Sequence, residues 1–272
     1  MNVSDVVRAY YNQHVEDEWK RLDRPICRIE FASTLRLIER HLPAKSKVCD
    51  IGGGPGRYAI ELLKRGHDVT LIDLSEEEVA FARRKINKCG LKAAAMFVGD
   101  ARNLSMLDSA TFDASLMLGP LIHIIDPIER TAALSELRRV LKAKGVAIIS
   151  YLNSWGLIRT GINDFPKRYA DISFLRSLLG ELVWKGKELS GFTECYWSTP
   201  PDALAEVQKA GFEVVTYAGA EGFANRMAPQ LQKLMSEIPE AYDNVVKVAA
   251  ETSELPQYRD ACDHLHIVVR KR

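Results

Sequence analysis

The chain has 272 residues, enough to bury a sizeable core as one α/β unit with insertions. Its 37 Lys and Arg against 36 Asp and Glu leave a formal net charge of +1, so no global field draws in nucleic acid or an anionic membrane. Five scattered cysteines (Cys27, Cys49, Cys89, Cys195, Cys262), never spaced C-x-x-C, suit reduced thiols rather than a disulfide scaffold or a zinc site, and set the expectation of a cytoplasmic protein. No stretch approaches the roughly 20 apolar residues of a membrane span, so a soluble, unprocessed chain without membrane contact is expected.

The first 42 residues read as two helices. The second runs through "RIEFASTLRLIERHL", where Ile29, Leu35, Ile38 and Leu42 recur at helical spacing. The pair, residues 1–45, is expected to fold over the open edge of a sheet as a lid. From 46 to 150, short apolar bursts alternate with amphipathic stretches: "KVCDIG", "HDVTLIDL", "AAAMFVGD", "FDASLML" and "GVAIISYL" read as buried strands. Ser75 with Glu78 forms a capping-box pattern, and Asp126-Pro127-Ile128-Glu129 supplies an N-cap, a proline at the first helical position and a returning carboxylate. Strands joined by crossover helices imply a mostly parallel, doubly wound α/β sheet with its ligand at the carboxyl ends of the strands.

Residues 151–199 break this rhythm with scattered aromatics, a helix signal near 168–180 and no clear strand, and read as a cap inserted over the active site. The alternation resumes at "PPDALAEVQKAGFEVVTYAG" (200–219), residues 223–255 look helical, and "DHLHIVVRKR" closes as a strand. The core is thus expected over 46–150 and 200–272.

The run "VCDIGGGPGRY" places bare backbone amides and a helix amino terminus beside a ligand. A dinucleotide fingerprint G-x-G-x-x-G fails, because counting from Gly52 and Gly54 the last position is Arg57. The pattern present, D-x-G-x-G-x-G from Asp50 to Gly56 with Gly53 inside it, resembles the class I S-adenosylmethionine-dependent methyltransferases of small-molecule type. The resemblance continues in order through "LIDLS", "VGDARNL", "FDASLMLGPLIHI" and "ELRRVLKAKGVAIIS", with Lys142-Ala143-Lys144-Gly145 in place of the commoner L-K-P-G-G. It implies a Rossmann-like seven-stranded sheet and S-adenosylmethionine as cofactor, with S-adenosylhomocysteine as product. It also implies that Asp73 at the end of the second strand, with Leu74 beside it, holds the ribose hydroxyls, since a carboxylate accepts two bonds from a diol. Asp100 would take the adenine amine, the Ala101 amide a ring nitrogen, and the Leu118 backbone would lie near the methionine part. A Cβ at Gly52 or Gly54 is expected to intrude on the cofactor.

Other residues carry two readings. Asp50 is a turn residue or a partner for the turn amides or the cofactor ammonium. His123, after the fourth strand, is a candidate base for an incoming hydroxyl or amine, or a packing residue. Tyr11 and Arg28 lie in a leading segment that resembles the lid helices of some bacterial small-molecule methyltransferases, where Arg28 would grip the methionine carboxylate with two bonds; surface salt bridging is the plain alternative. Tyr151, Asn153, Trp155, Tyr196 and Trp197 enclose a substrate or form the insertion's own core. His264 and His266 share a strand face, with no ligand-type residue at metal spacing, and read as structural.

Methyl transfer from a sulfonium is an in-line displacement that needs alignment, exclusion of water and, for some acceptors, a base. The chain lacks the N-P-P-Y, D-P-P-Y and Pro-Cys motifs of nucleic acid base methylation, which with the even charge points to a small-molecule acceptor and no nucleic acid. A non-catalytic cofactor-binding module, a protein methyltransferase and a nicotinamide-dependent dehydrogenase are the competing readings.

Overall fold

The structure, a computed structural model, describes residues 2–185 and 193–272; residues 186–192 of the expected cap lie outside the described residues. Two helices lead, α1 (Val3–Arg21) and α2 (Pro25–His41). The alternation then begins with β1 (Lys47–Ile51), α3 (Arg57–Lys64), β2 (Asp68–Asp73), α4 (Glu76–Lys88) and β3 (Ala95–Val98). It continues through β4 (Phe112–Met117), α5 (Pro120–His123), α6 (Pro127–Val140) and β5 (Leu141–Asn153). Next come α7 (Ser154–Asp164), a 3-10 turn at Pro166–Ala170, α8 (Ile172–Ser177), β6 (Leu182–Trp184) and β7 (Cys195–Ser198). The last stretch holds α9 (Pro200–Lys209), β8 (Phe212–Gly219), a 3-10 turn at Gly222–Ala224, α10 (Ala228–Glu237), α11 (Pro239–Thr252), α12 (Pro256–Arg259) and β9 (His264–Lys271).

Strands β3, β2, β1, β4 and β5 run parallel in that spatial order, and β9 inserts antiparallel between β5 and β8. These seven strands are the sheet the sequence leads one to expect. Because β9 is reversed, its first residue, His264, pairs with Leu152 at the carboxyl end of β5 and so falls on the ligand edge. The insertion departs from expectation: β7 pairs with β5 at Leu152 and Asn153, and β6 pairs with β7, extending the same sheet. Strands of three and four residues are too short to show an alternation in sequence.

Consecutive residues of the central strands face opposite sides, and both sides are covered. Val48, Leu116, Ile148 and Val268 pack with Leu37, Ile38, Leu62 and Ala82 from α2, α3 and α4. Ile51, Ile149, Ile267 and Val269 pack with Leu134, Leu137, Ala203 and Val207 from α6 and α9. Helix α2 therefore lies on a sheet face rather than over the open edge, and its far side packs Ile29 with Leu231, Tyr242 and Ala249 of α10 and α11. At α6 the Asp126 Oδ1 accepts the Ile128 and Glu129 amides at 2.7 and 3.2 Å, as the pattern predicts, whereas the Glu129 carboxylate turns to Arg102 instead of back to the cap.

Ile148 is fully buried at the middle of β5, under α2. Ile148→Ala is expected to lower the unfolding free energy by about 2–5 kcal/mol, read from the urea midpoint at unchanged slope.

Candidate active site

Strand β1 ends in a turn that is tied to β2. The Gly52 and Gly53 amides donate to the Ile72 carbonyl at 2.8 and 3.1 Å, and the Gly54 amide donates to Asp73 Oδ2 at 2.8 Å. Gly52 and Gly54 both have left-handed backbone, φ +71° and +51°. Their surroundings differ. A Cβ on Gly52 would sit 2.5 Å from Pro120 Cδ, whereas one on Gly54 would meet nothing within 4 Å. At Gly52 the close approach within the protein is to the start of α5, and at Gly54 the left-handed backbone faces open space. Gly56, φ +84°, caps α3 beside Ala82.

In front of this turn lies a cavity of about 410 Å³. Its floor is the carboxyl edge of the sheet, from the loop after β3 to Leu152 and His264, and α1 covers it with Ser4, Val7, Tyr11, Glu18 and Arg21. A break at His14 (φ −120°, ψ 20°), whose Nδ1 donates to the Tyr10 carbonyl at 2.7 Å, lets the two halves of α1 reach different parts of the cavity.

Three acids line the cavity next to the turn. Asp73 Oδ2 and Oδ1 each accept one amide, from Gly54 and from Ser75 at 2.9 Å, which leaves further lone pairs on both oxygens. Burial pushes its pKa up against those amide bonds, which pull it down. Asp50 Oδ2 is buried without a hydrogen-bond partner, and burial, then the Asp73 charge, raises this carboxyl to about 7. Glu78 is buried with both carboxylate oxygens unpartnered, raised to about 9 by burial and then by Asp73 and Glu18. The Ser75 cap is accordingly one-sided: its Oγ accepts the Glu78 amide at 3.1 Å, but the Ser75 amide is already bound to Asp73, and the Glu78 carboxylate turns inward. Buried acids left unmatched are costly, and a cation in front of them removes that cost.

Farther along, the Asp100 carboxylate is held by the Arg102 amide and guanidinium, with Nε 2.9 Å from Oδ1, which holds its pKa down against burial. Arg102 also reaches Ser4 and Glu129. Across the cavity, His123 Nδ1 donates to the Glu194 carbonyl at 2.8 Å, which fixes the tautomer and leaves Nε2 to accept the Tyr11 hydroxyl at 2.8 Å. Burial lowers His123 to about 4 against the pull of the Glu194 carbonyl.

Of the residues singled out from sequence, Asp50, Gly52, Gly53, Gly54, Asp73, Leu74, Asp100, Ala101, Leu118, Tyr11 and His123 line this one cavity. The others do not. Arg28 lies 5.4 Å over the Tyr242 ring, on the opposite side of α2. Tyr151 donates to Glu206 at 2.9 Å within the core, and Asn153 caps α7 while donating to the Asp260 and Cys262 carbonyls. Trp155 donates to Leu179 O, and Trp197 packs on Trp184. Tyr196 donates to Glu181, with Arg130 3.6 Å over its ring. These side chains hold the insertion to the sheet. Sequence reading missed Glu78, masked as a capping residue, and the carboxylates Glu30 and Glu221 with Arg21 that gather around His264, which was read as a structural residue without such neighbours because these partners are far apart in the chain. Glu30, Glu221 and His264 bring ligand-type atoms within 4.8 Å of one another, but Arg21 grips both oxygens of Glu30 at 2.7 and 3.1 Å, so a guanidinium already supplies the positive charge there.

A family model described as a methyltransferase domain matches residues 48–145, the segment that carries the turn and the acids. The chain is 27% identical to the putative methyltransferase YqeM of Bacillus subtilis over 58% of its length and 69% of that protein. It is 22% identical to the tRNA 5-carboxymethoxyuridine methyltransferase of Escherichia coli over 87% and 84%. Among solved structures, the 1,6-didemethyltoxoflavin-N1-methyltransferase of Burkholderia thailandensis, with 1,6-didemethyltoxoflavin and S-adenosylhomocysteine bound, superposes with a TM-score of 0.61 at 18% identity, over 98% of this chain and 88% of that one.

A carboxyl whose pKa is higher folded than unfolded binds more protons in the folded state, so the ligand-free protein loses stability as pH rises from the unfolded toward the folded pKa. For Glu78 that window runs from 4.5 to about 9. Glu78→Gln is expected to stabilise the ligand-free protein at pH 8 by about 1–3 kcal/mol and to flatten the fall of melting temperature between pH 5 and 9.

Proposed function

The chain belongs to the class I S-adenosylmethionine-dependent methyltransferase family, and we propose that it methylates a small-molecule acceptor held between the cofactor and the α5 and β9 side of the cavity. The observation that carries the cofactor placement is the unpartnered Asp50 oxygen behind the open left-handed turn at Gly54. S-adenosylmethionine bears an ammonium and a sulfonium, and both are welcome beside Asp50, Asp73 and Glu78; the pyrophosphate of a nicotinamide cofactor would meet those acids as an anion.

Asp73 uses its remaining lone pairs for the ribose hydroxyls, next to the Leu74 backbone. Asp100 and the Ala101 amide take the adenine edge, with Asp100 kept ionised by Arg102. Asp50 takes the ammonium, near the Leu118 backbone. For the methionine carboxylate, Arg24 replaces Arg28 as the guanidinium candidate, since it lines the cavity, whereas the Arg21 guanidinium is held by Glu30. Bound cofactor supplies a methyl already activated by the sulfonium charge, so these side chains bind, align and exclude water. Tyr11 and His123 close the cavity from α1 to α5, and His123, weakly basic and bonded on both nitrogens, orients the Tyr11 hydroxyl toward the acceptor.

The acceptor class is supported by the even overall charge and by the covering of the cavity by α1, both of which suit a small cytoplasmic metabolite rather than a polyanion. The relative that acts on tRNA makes bulk tRNA the necessary counter-test. With methyl-labelled cofactor, label is expected in the small-molecule fraction of an extract; label confined to tRNA would refute this acceptor class.

Two variants test the roles. Asp73→Asn is expected to weaken S-adenosylhomocysteine binding by about 10–100-fold in calorimetry, the loss of charge-assisted bonds worth about 1.5–3 kcal/mol. His123→Asn is expected to lower kcat/KM by about tenfold, yet to leave its pH profile between 5 and 8 unaltered, because a group that titrates near 4 stays neutral throughout.

A further inference from the structure

We infer that His264, held by Glu221, is the acceptor-recognising residue, and that the acceptor presents an acidic oxygen, a carboxylate or an ionised phenol, to its Nε2. This deepens the small-molecule methyltransferase reading and rests on it. Four observations carry the inference.

His264 stands at the ligand edge because β9 is reversed, and its side chain lines the cavity next to Leu152. Its Nδ1 lies 2.6 Å from Glu221 Oε1, and its backbone amide donates to the other carboxylate oxygen at 3.3 Å. The carboxylate therefore fixes the ring, and Nε2 is the nitrogen left for the cavity. The two side chains differ in exposure as such a pair should: 27% for His264 and 4% for Glu221. Finally, the glycine turn that marks the cofactor's methionine end follows β1, whereas His264 begins β9, three strand spacings away across β4 and β5, or roughly 14 Å. That places the imidazole on the acceptor side.

The groups that face His264 determine its charge. Glu221 comes from the turn after β8, Glu30 from α2 with Arg21 of α1 on it, and Asp263 precedes His264 with Arg226 on it. His266, on the same strand face, is bonded to Thr34. Burial alone would lower the His264 pKa, but Glu221, then Glu30 and Asp263, outweigh it and raise the group to about 9. At neutral pH the ring is an imidazolium whose Nε2–H needs an acceptor atom. Glu30 is held near 2 by Arg21 and His264 against its burial and is already gripped by the guanidinium. An acidic oxygen from the ligand meets the free donor, and its negative charge is compensated by the imidazolium and by the cofactor's sulfonium.

The test uses the full-length protein saturated with S-adenosylhomocysteine and two probes of the same shape, benzoate and benzamide. Ring-nitrogen NMR of histidine-labelled protein, with His264 assigned by its loss in His264→Gln, reads the contact. Benzoate is expected to move the His264 resonances and to bind about tenfold or more tighter than benzamide at pH 7. That preference should vanish above pH 9 and in Glu221→Gln, while S-adenosylhomocysteine affinity in the variant stays within about twofold of the parent. A merely structural His264 would leave the benzoate preference untouched in Glu221→Gln. Phenolate-type ligands are separated from carboxylates by repeating the titration with 4-nitrophenolate and benzoate in competition; displacement of either by the other supports a shared site. Equal binding of benzoate and benzamide, no binding of either, or binding that leaves the His264 resonances unmoved overturns the inference and leaves the cofactor reading intact. Failure of the parent protein to bind S-adenosylhomocysteine overturns both.

Discussion

Asp73 sits at the end of β2 and accepts two amides that belong to different elements, Gly54 of the turn and Ser75 at the start of α4. One carboxylate thereby fixes how the β1 turn stands against β2 and where α4 begins. With its amide already donating to Asp73, Ser75 does not donate to the Glu78 carboxylate, and that carboxyl remains on the buried side of α4 facing the cavity. The negative charge of Asp73 then raises both Asp50 and Glu78. The acid-rich pocket is thus a consequence of one strand-end carboxylate doing the work of a turn clamp.

The cavity has two electrostatic ends. Near β1 and β2 the acids lack cationic partners, which favours a positively charged ligand. Near β9 two ion pairs stand side by side, Arg21 with Glu30 and His264 with Glu221, with Glu30, Glu221 and His264 atoms within 4.8 Å of one another. A buried group of this kind is expensive to break at one member, because the remaining charge is left without compensation. It therefore holds α1, α2 and the β9 edge in register with one another, and a ligand approaching from the cavity meets a fixed donor rather than a side chain that must first be ordered.

Much of this arrangement was readable in the sequence, for reasons that differ by element. The strands from β1 to β5 are continuous apolar runs because both sheet faces are covered, and the glycine turn, Asp73 and Asp100 lie at fixed offsets along one stretch of chain. Their functional reading needs no long-range pairing. The insertion was legible as a break in rhythm, but its aromatic residues join it to the core, with Tyr196 under Arg130 of α6 and Tyr151 bonded to Glu206 of α9. Aromaticity alone cannot distinguish that role from substrate contact. Arg28 was chosen for its chemistry, yet it faces Tyr242 while Arg21 and Arg24 line the cavity, because helical phase decides direction. The pairing of His264 with Glu221 joins residues 43 apart and depends on β9 being antiparallel, a fact the strand's own pattern does not contain.

Helix α1 is the one cover of the cavity whose attachment is largely polar. Among its residues only Val7 is buried, so little apolar area holds the first half down, and its side-chain bonds to the sheet side run from Ser4 to Arg102, from Tyr11 to His123 and from Asn12 to Ser75 and Glu76. The second half is tied differently, by Arg21 to Glu30 and by Trp19 beneath Arg57 and Lys85. The break at His14 separates the two. An opening that lifts the first half about that break would uncover the cavity through loss of its side-chain bonds, while the Arg21 to Glu30 pair stays formed. Motion of this kind would leave the Arg21–Glu30 and His264–Glu221 pairs intact, because both lie beyond the break at His14.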